Sequence, residues 1–168
     1  MRTLNSKGQI FSVELIFAVI VFLLILLLFL NVSLSTSQKI ERRNSFNERY
    51  FLAVNALQQL LWSSGNPSNW QNLSSLADVN SLGLAESKNY LSKEKVQRMV
   101  DLNSSSYPEV KALLGLNNYG MHFVVYDFNG LIIKEFGLSP SSESQSIVIE
   151  RFAFYDGSIV RVKMEAFK

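Results

Sequence analysis

The chain has no cysteine, and that absence removes disulfides, thiolate zinc sites, iron–sulfur clusters and cysteine nucleophiles together. Any part outside a reducing compartment must hold its shape by packing alone. Histidine occurs once, as His122, so no second histidine or cysteine completes a metal set. Charge is scarce as well: charged side chains make up 18% of the 168 residues, below the roughly 25% usual in soluble domains. The net charge is +2 and no basic block exceeds Arg42-Arg43, which excludes the electrostatic footprint of a nucleic-acid binder. No nucleophile elbow, phosphate-cradling loop or dinucleotide glycine fingerprint occurs, and acidic residues such as Asp127 and Glu135 are scattered singly. The expectation is a non-enzyme with no catalytic residues, no metal ligands and no cofactor.

Helix breakers are missing from one long stretch. All three prolines and seven of the eight glycines lie beyond residue 64, which predicts a single helix over residues 9–64. Residues 15–30 are sixteen consecutive apolar side chains, about 24 Å of helix. Ile10, Phe11 and Val13 extend the run upstream, and Val32 and Leu34 extend it downstream. The resulting span, about 10–34, suffices to cross a hydrocarbon core of roughly 30 Å. A secretory signal would have a shorter apolar core and a small-residue cleavage site, whereas residues 31–37 lead into more helix-forming sequence, so the segment reads as an anchor that is kept. Orientation does not follow from charge, because Arg2 and Lys7 precede the span and Lys39, Arg42 and Arg43 follow it. Over residues 35–62 the pattern changes: Ile40, Phe46, Tyr50, Val54, Leu57 and Leu61 recur at mostly three- and four-residue steps among charged neighbours. That predicts an amphipathic stalk whose apolar stripe packs on the protein's own head. The stripe does not hold a heptad, which argues against a coiled coil.

One carboxylate, Glu14, interrupts the apolar span. In lipid it costs about 2.5 to 3.5 kcal/mol at the bilayer centre and less near an interface. Either it snorkels to the interface, or it meets a cation at matching depth.

The remaining residues predict a small head. Gly65-Asn66-Pro67 ends the helix, and residues 65–120 read as loops with one short helix over 93–102, capped by Ser92, and another over 108–114, opened by Pro108 and stopped by Gly115. Residues 121–168 alternate with strand period. Strands over 121–128 and 131–136 flank Asn129-Gly130, and strands over 146–155 and 158–167 flank Asp156-Gly157, predicting two type I′ hairpins. Pairing Tyr155 with Ser158 sets Ile147, Ile149, Ala153, Val160, Val162, Met164 and Ala166 on one face, against the helix, and joins Glu150 to Lys163 and Phe152 to Arg161 on the other. Arg151 is the misfit, since this register points it toward the apolar face. The fold class expected is α+β: a long N-terminal membrane-spanning helix continuing into a stalk helix packed on a small C-terminal antiparallel β-sheet head. Sequons at Asn31, Asn72 and Asn103 permit an exterior location, with Asn72 and Asn103 as glycosylation candidates.

Lys7-Gly8-Gln9-Ile10-Phe11-Ser12-Val13-Glu14 followed by the apolar run resembles the class III signal peptide of archaeal type IV pilins. The resemblance continues through Ser64-Gly65-Asn66-Pro67-Ser68-Asn69-Trp70, Gly83-Leu84-Ala85, Leu91-Ser92-Lys93-Glu94-Lys95-Val96, Tyr107 and the two hairpins, and covers nearly the whole chain. It implies a leader of residues 1–8, cut by a prepilin peptidase between Gly8 and Gln9. It also implies an anchor that later becomes the packed core of a filament, with Glu14 touching a neighbouring subunit's amino terminus. The usual spacing puts that Glu fifth in the mature chain, whereas counting from Gln9 makes Glu14 sixth. Loss of Arg2 and Lys7 from the 16 basic residues would leave 14 against 14 acidic ones, so close self-packing would meet little net repulsion.

The function implied is a pilin-like structural subunit of an archaeal surface filament used in adhesion or surface contact. Its expected partners are the membrane, the prepilin peptidase, like subunits and, indirectly, an assembly ATPase and platform protein, with no nucleic acid. The head is expected outside the cell, on a single-pass anchor before assembly and on a filament after it. Two other readings stand beside it: a membrane-anchored exterior domain acting as a binding or receptor module, and a minor or pseudopilin-like component that primes assembly or helps secretion instead of forming bulk filament.

Overall fold

The computed structural model describes residues 6–142 and 144–168. Helix α1 runs Ser6–Trp62, and the chain divides into two compact units, Met1–Ser45 and Phe46–Lys168. In the first unit, Val13–Thr36 is a 24-residue stretch long and apolar enough to cross a membrane, and none of it is buried.

The second unit is an α+β head. After α1 come two 3-10 turns, Trp70–Asn72 and Leu76–Asp78, then strands β1 (Ala85–Ser87) and β2 (Tyr90–Leu91), and helices α2 (Lys93–Asp101) and α3 (Tyr107–Leu113). Strands β3 (Gly120–Tyr126), β4 (Ile132–Gly137), β5 (Ser146–Tyr155) and β6 (Ser158–Phe167) complete a six-stranded sheet of order β1-β2-β5-β6-β3-β4. The sheet is antiparallel except where β2 runs parallel to β5, so the expectation of a wholly antiparallel sheet is corrected at that pair. Strands β1 and β2 were not foreseen. They total five residues, and what fixes them is distant in sequence: the amides of Leu84, Ala85 and Asn89 donate to the carbonyls of Leu60, Ser63 and Leu61, supplying donors to acceptors that the end of α1 leaves open, and the Phe154 amide donates to the Asn89 carbonyl.

The second hairpin forms in the expected register. Asp156 and Gly157 both have positive φ, as a type I′ turn requires, and Tyr155 pairs with Ser158. All seven residues expected on the core face are buried. Arg151 has the parity of that face yet is exposed, and its Nη1 donates to the Glu150 carbonyl. The long stem lets the head group escape to water.

The first hairpin departs from the expectation. Asn129 lacks the positive φ of a type I′ turn, and only Gly130 (φ +87) is left-handed. The chain instead makes a longer turn closed by Asp127, whose Oδ1 accepts from the Leu131 amide at 2.7 Å while its own amide donates to the Leu131 carbonyl. The strands therefore end earlier than expected, with a register irregularity between Val125 and Tyr126.

Ala53, Ala56, Leu57, Leu60 and Leu61 of α1 join Trp70, Leu82, Leu84, Met99, Phe123, Phe136 and the inner sheet face in one apolar core. Within the second unit the stalk stripe is only partly covered: Leu57 and Leu61 are buried, Val54 is half-buried, and Phe46 and Tyr50 are exposed. The expectation that the whole stripe packs on the head is corrected there. Phe46 lies on the same helical face as Leu57, but Arg49, which donates to the Gln145 carbonyl at 2.6 Å, is the first buried position along α1 among the described residues. Ser92 sits at the N-cap of α2, but its hydroxyl donates to Glu94 Oε2 instead of capping a backbone amide.

Candidate functional site

Residues 1–5 of the expected leader lie outside the described residues. Gly8 and Gln9 fall within the opening turns of α1 by backbone, and their side chains are outside the described set. Glu14 is exposed at the start of the apolar stretch, and among the described residues it has no ion-pair partner. In water that exposure costs nothing. In lipid, the same carboxylate requires either an interfacial depth or a cation brought by another molecule.

Asn72 ends the first 3-10 turn and is exposed. Asn103, just after α2, is exposed too, and its Oδ1 accepts from the Gly137 amide at 2.8 Å. That contact leaves the nitrogen of its amide as the free end of the sequon.

The head's polar chemistry gathers around the single histidine. His122 is buried on the outer sheet face, between two carboxylates from different strands. Its Nδ1 lies 2.9 Å from Glu165 Oε2 on β6 and its Nε2 lies 2.7 Å from Glu135 Oε1 on β4. Lys163 Nζ donates to the other oxygen of Glu165 at 3.1 Å. His122 pairs directly across from Glu165, a consequence of the β3–β6 alignment, which joins segments about 40 residues apart and is invisible to hairpin reasoning. Glu135 arrives one step along β4, whose register opposes it to Val124. The one histidine of the sequence is thus buried and hydrogen-bonded through both ring nitrogens. Among the described residues no group of three or more His, Asp or Glu is placed to hold a metal ion.

Burial pushes the Glu165 carboxyl up, but hydrogen bonds from His122 and Lys163 outweigh it, and the net direction is down. A carboxyl held below its unfolded value stabilises the fold above that unfolded value, and the contribution disappears as pH falls through the folded one. Denaturant midpoints taken downward from pH 5 should therefore show an acid loss that Glu165→Gln diminishes, the variant itself costing about 1–3 kcal/mol at neutral pH. An identical acid slope in wild type and variant would contradict the assignment.

Lys95, on the buried side of α2, donates to the Ser64 and Ala85 carbonyls at 2.9 and 3.4 Å. Its position just past the carbonyl end of α1 suits a cation, although burial pushes its ammonium below the usual lysine range.

No family model, no curated protein and no solved structure matches the chain.

At one end of the sheet the two hairpin turns expose large apolar side chains. Phe128 is 91% and Phe152 70% exposed, with Leu131, Ile132 and Ile159 beside them. Phe128, Phe152 and Ile159 line a shallow cavity of about 370 Å³ with Asp127, Asn129 and Arg161.

Proposed function

We propose that the protein is a pilin-like structural subunit: made as a precursor, anchored through its apolar helix, cut between Gly8 and Gln9, and assembled with like subunits into a surface filament with the head outward. The observation that carries the reading is one juxtaposition in the sequence, a Gly-Gln pair followed within six residues by a lone carboxylate at the mouth of an apolar stretch. The wholly uncovered Val13–Thr36 stretch supports it, because such a surface needs lipid or other apolar helices around it. The partly uncovered stripe also supports it: Phe46, Tyr50 and Phe51 offer aromatic surface that the protein's own head leaves bare.

In this reading Glu14 meets the new amino terminus of a neighbouring subunit, a pairing available only after cleavage. The extra residue in the spacing shifts Glu14 by one helical position relative to the family's usual arrangement. The head's exposed apolar end is the surface that meets other subunits or a foreign surface, and Asn72 and Asn103 are exterior glycosylation candidates.

The experiment is Glu14→Ala expressed in cells that make the filament. Membrane insertion and cleavage should persist, while the amount of this chain in sheared surface filaments should fall at least about tenfold, the loss of roughly one buried charge pair per contact. Unchanged filament content would remove the carboxylate from assembly. A single-pass exterior binding module is the second reading, favoured by the Phe128 and Phe152 surface, and it predicts that Glu14→Ala changes neither localisation nor partner capture.

A further inference from the structure

The two contacts of His122 impose a condition on its protons. A neutral imidazole has one N–H, so it can donate to only one of two carboxylates, and its bare nitrogen would face the other across less than 3 Å. Two donated hydrogen bonds need two ring protons. The groups around the ring belong to four strands. Glu165 and Lys163 face it from β6, with Arg161 further along; Glu135 faces it from β4. On β3 itself lies Tyr126, whose ring has Arg161 and Lys163 at 4.9 and 5.6 Å, and β5 sets Glu150 opposite Lys163. Lys134 points to Gln97 on α2 and takes no part.

The two carboxylates are not equivalent. Glu165 is buried and has Lys163 as a second donor, so it keeps a partner whatever the ring does. Glu135 is 45% exposed, and among the described residues His122 is its only polar partner. We propose that His122 is a proton-operated tie between strands: as imidazolium it joins Glu165 on β6 to Glu135 on β4, and loss of one proton frees Glu135 and loosens β4. The proton leaves Nε2 for solvent, which reaches it past the half-exposed Glu135, and the remaining Nδ1–H stays on Glu165. Strand β4 is the element that responds because it is the edge of the sheet, paired on one side only. Its ladder with β3, the Asn103–Gly137 and Gln97–Lys134 hydrogen bonds and the buried Phe136 ring still hold it, so it loosens without leaving. The tie stands independently of the filament reading.

A single histidine makes the test direct. In the full chain in detergent micelles, ring nitrogen signals report the proton count without assignment, and hydrogen exchange of peptides covering 132–137 is followed along the same pH series, taken as a ratio to peptides from β5 to remove the ordinary pH dependence of exchange. The expected result is that the ratio rises about tenfold as the ring goes from two protons to one, the change that loss of one charge-assisted hydrogen bond carries. In Glu135→Gln the ratio should stay flat, because an amide accepts from the imidazolium and donates to the neutral ring alike. A flat ratio in the wild type, a ring that never carries two protons where β4 is protected, or the same rise in Glu135→Gln would each overturn the proposal.

Discussion

Replacing Gly83 with alanine is expected to destabilise the head by about 3 kcal/mol or more, a large share of what a domain of this size has to lose. The reason is the joint between the end of α1 and the segment that closes over it. A Cβ on Gly83 would lie 2.1 Å from the Ser63 carbonyl oxygen and 2.5 Å from the Gly65 nitrogen. These are backbone atoms, so no side-chain rotation relieves the clash. The same stretch is tied on both sides: Gln59 Nε2 donates to the Leu82 carbonyl at 2.9 Å, Trp70 Nε1 donates to the Gly83 carbonyl at 2.8 Å, and the Leu84 and Ala85 amides reach the Leu60 and Ser63 carbonyls. Moving the segment away to admit a methyl group breaks those bonds and uncovers Leu82, Leu84 and Trp70, all essentially buried. Denaturant unfolding of the full chain, followed by tryptophan fluorescence, should show the loss. A variant within about 0.5 kcal/mol of wild type would mean that the joint is looser than described.

That joint also explains what the sequence could and could not say. Elements governed by neighbours along the chain were legible: the 57-residue helix from its missing breakers, the Asp156-Gly157 turn from its dipeptide, and the β5–β6 register and its seven inward residues from alternation. Elements governed by distant partners were not. Strands β1 and β2 are too short to carry a period, and they exist because α1 leaves carbonyls for their amides. The Asn129-Gly130 pair suggested the wrong turn because Asp127, two residues earlier, captures the Leu131 amide and pulls the hairpin into a wider loop. The stripe of α1 had the right period but no mark of where the head's cover begins, and Phe46 and Tyr50 fall beyond it.

The polar cluster is the clearest case. Glu135 and Glu165 lie 13 and 43 residues from His122 in sequence; the β3–β4 pairing brings the first to it and the β3–β6 pairing the second. A usable signal did exist: His122 and Glu165 each sit on the polar parity of a strand rich in apolar neighbours. Two such outliers invite pairing. The N-terminal candidates were legible in another sense, as a motif, and their geometry adds only that Glu14 and the stretch behind it are uncovered.

The central claim is that the mature chain begins at Gln9, since assembly through Glu14 requires an amino group that the precursor does not present. Trimming there would remove Arg2 and Lys7 and place a new positive terminus five residues before the carboxylate. The decisive measurement is the intact mass and N-terminal sequence of the protein recovered from native membranes and from surface filaments, which also registers any glycan on Asn72 or Asn103. The account predicts a first residue of Gln9 in all filament material and in most membrane material. A chain that still begins at Met1 in membranes containing the peptidase would contradict it.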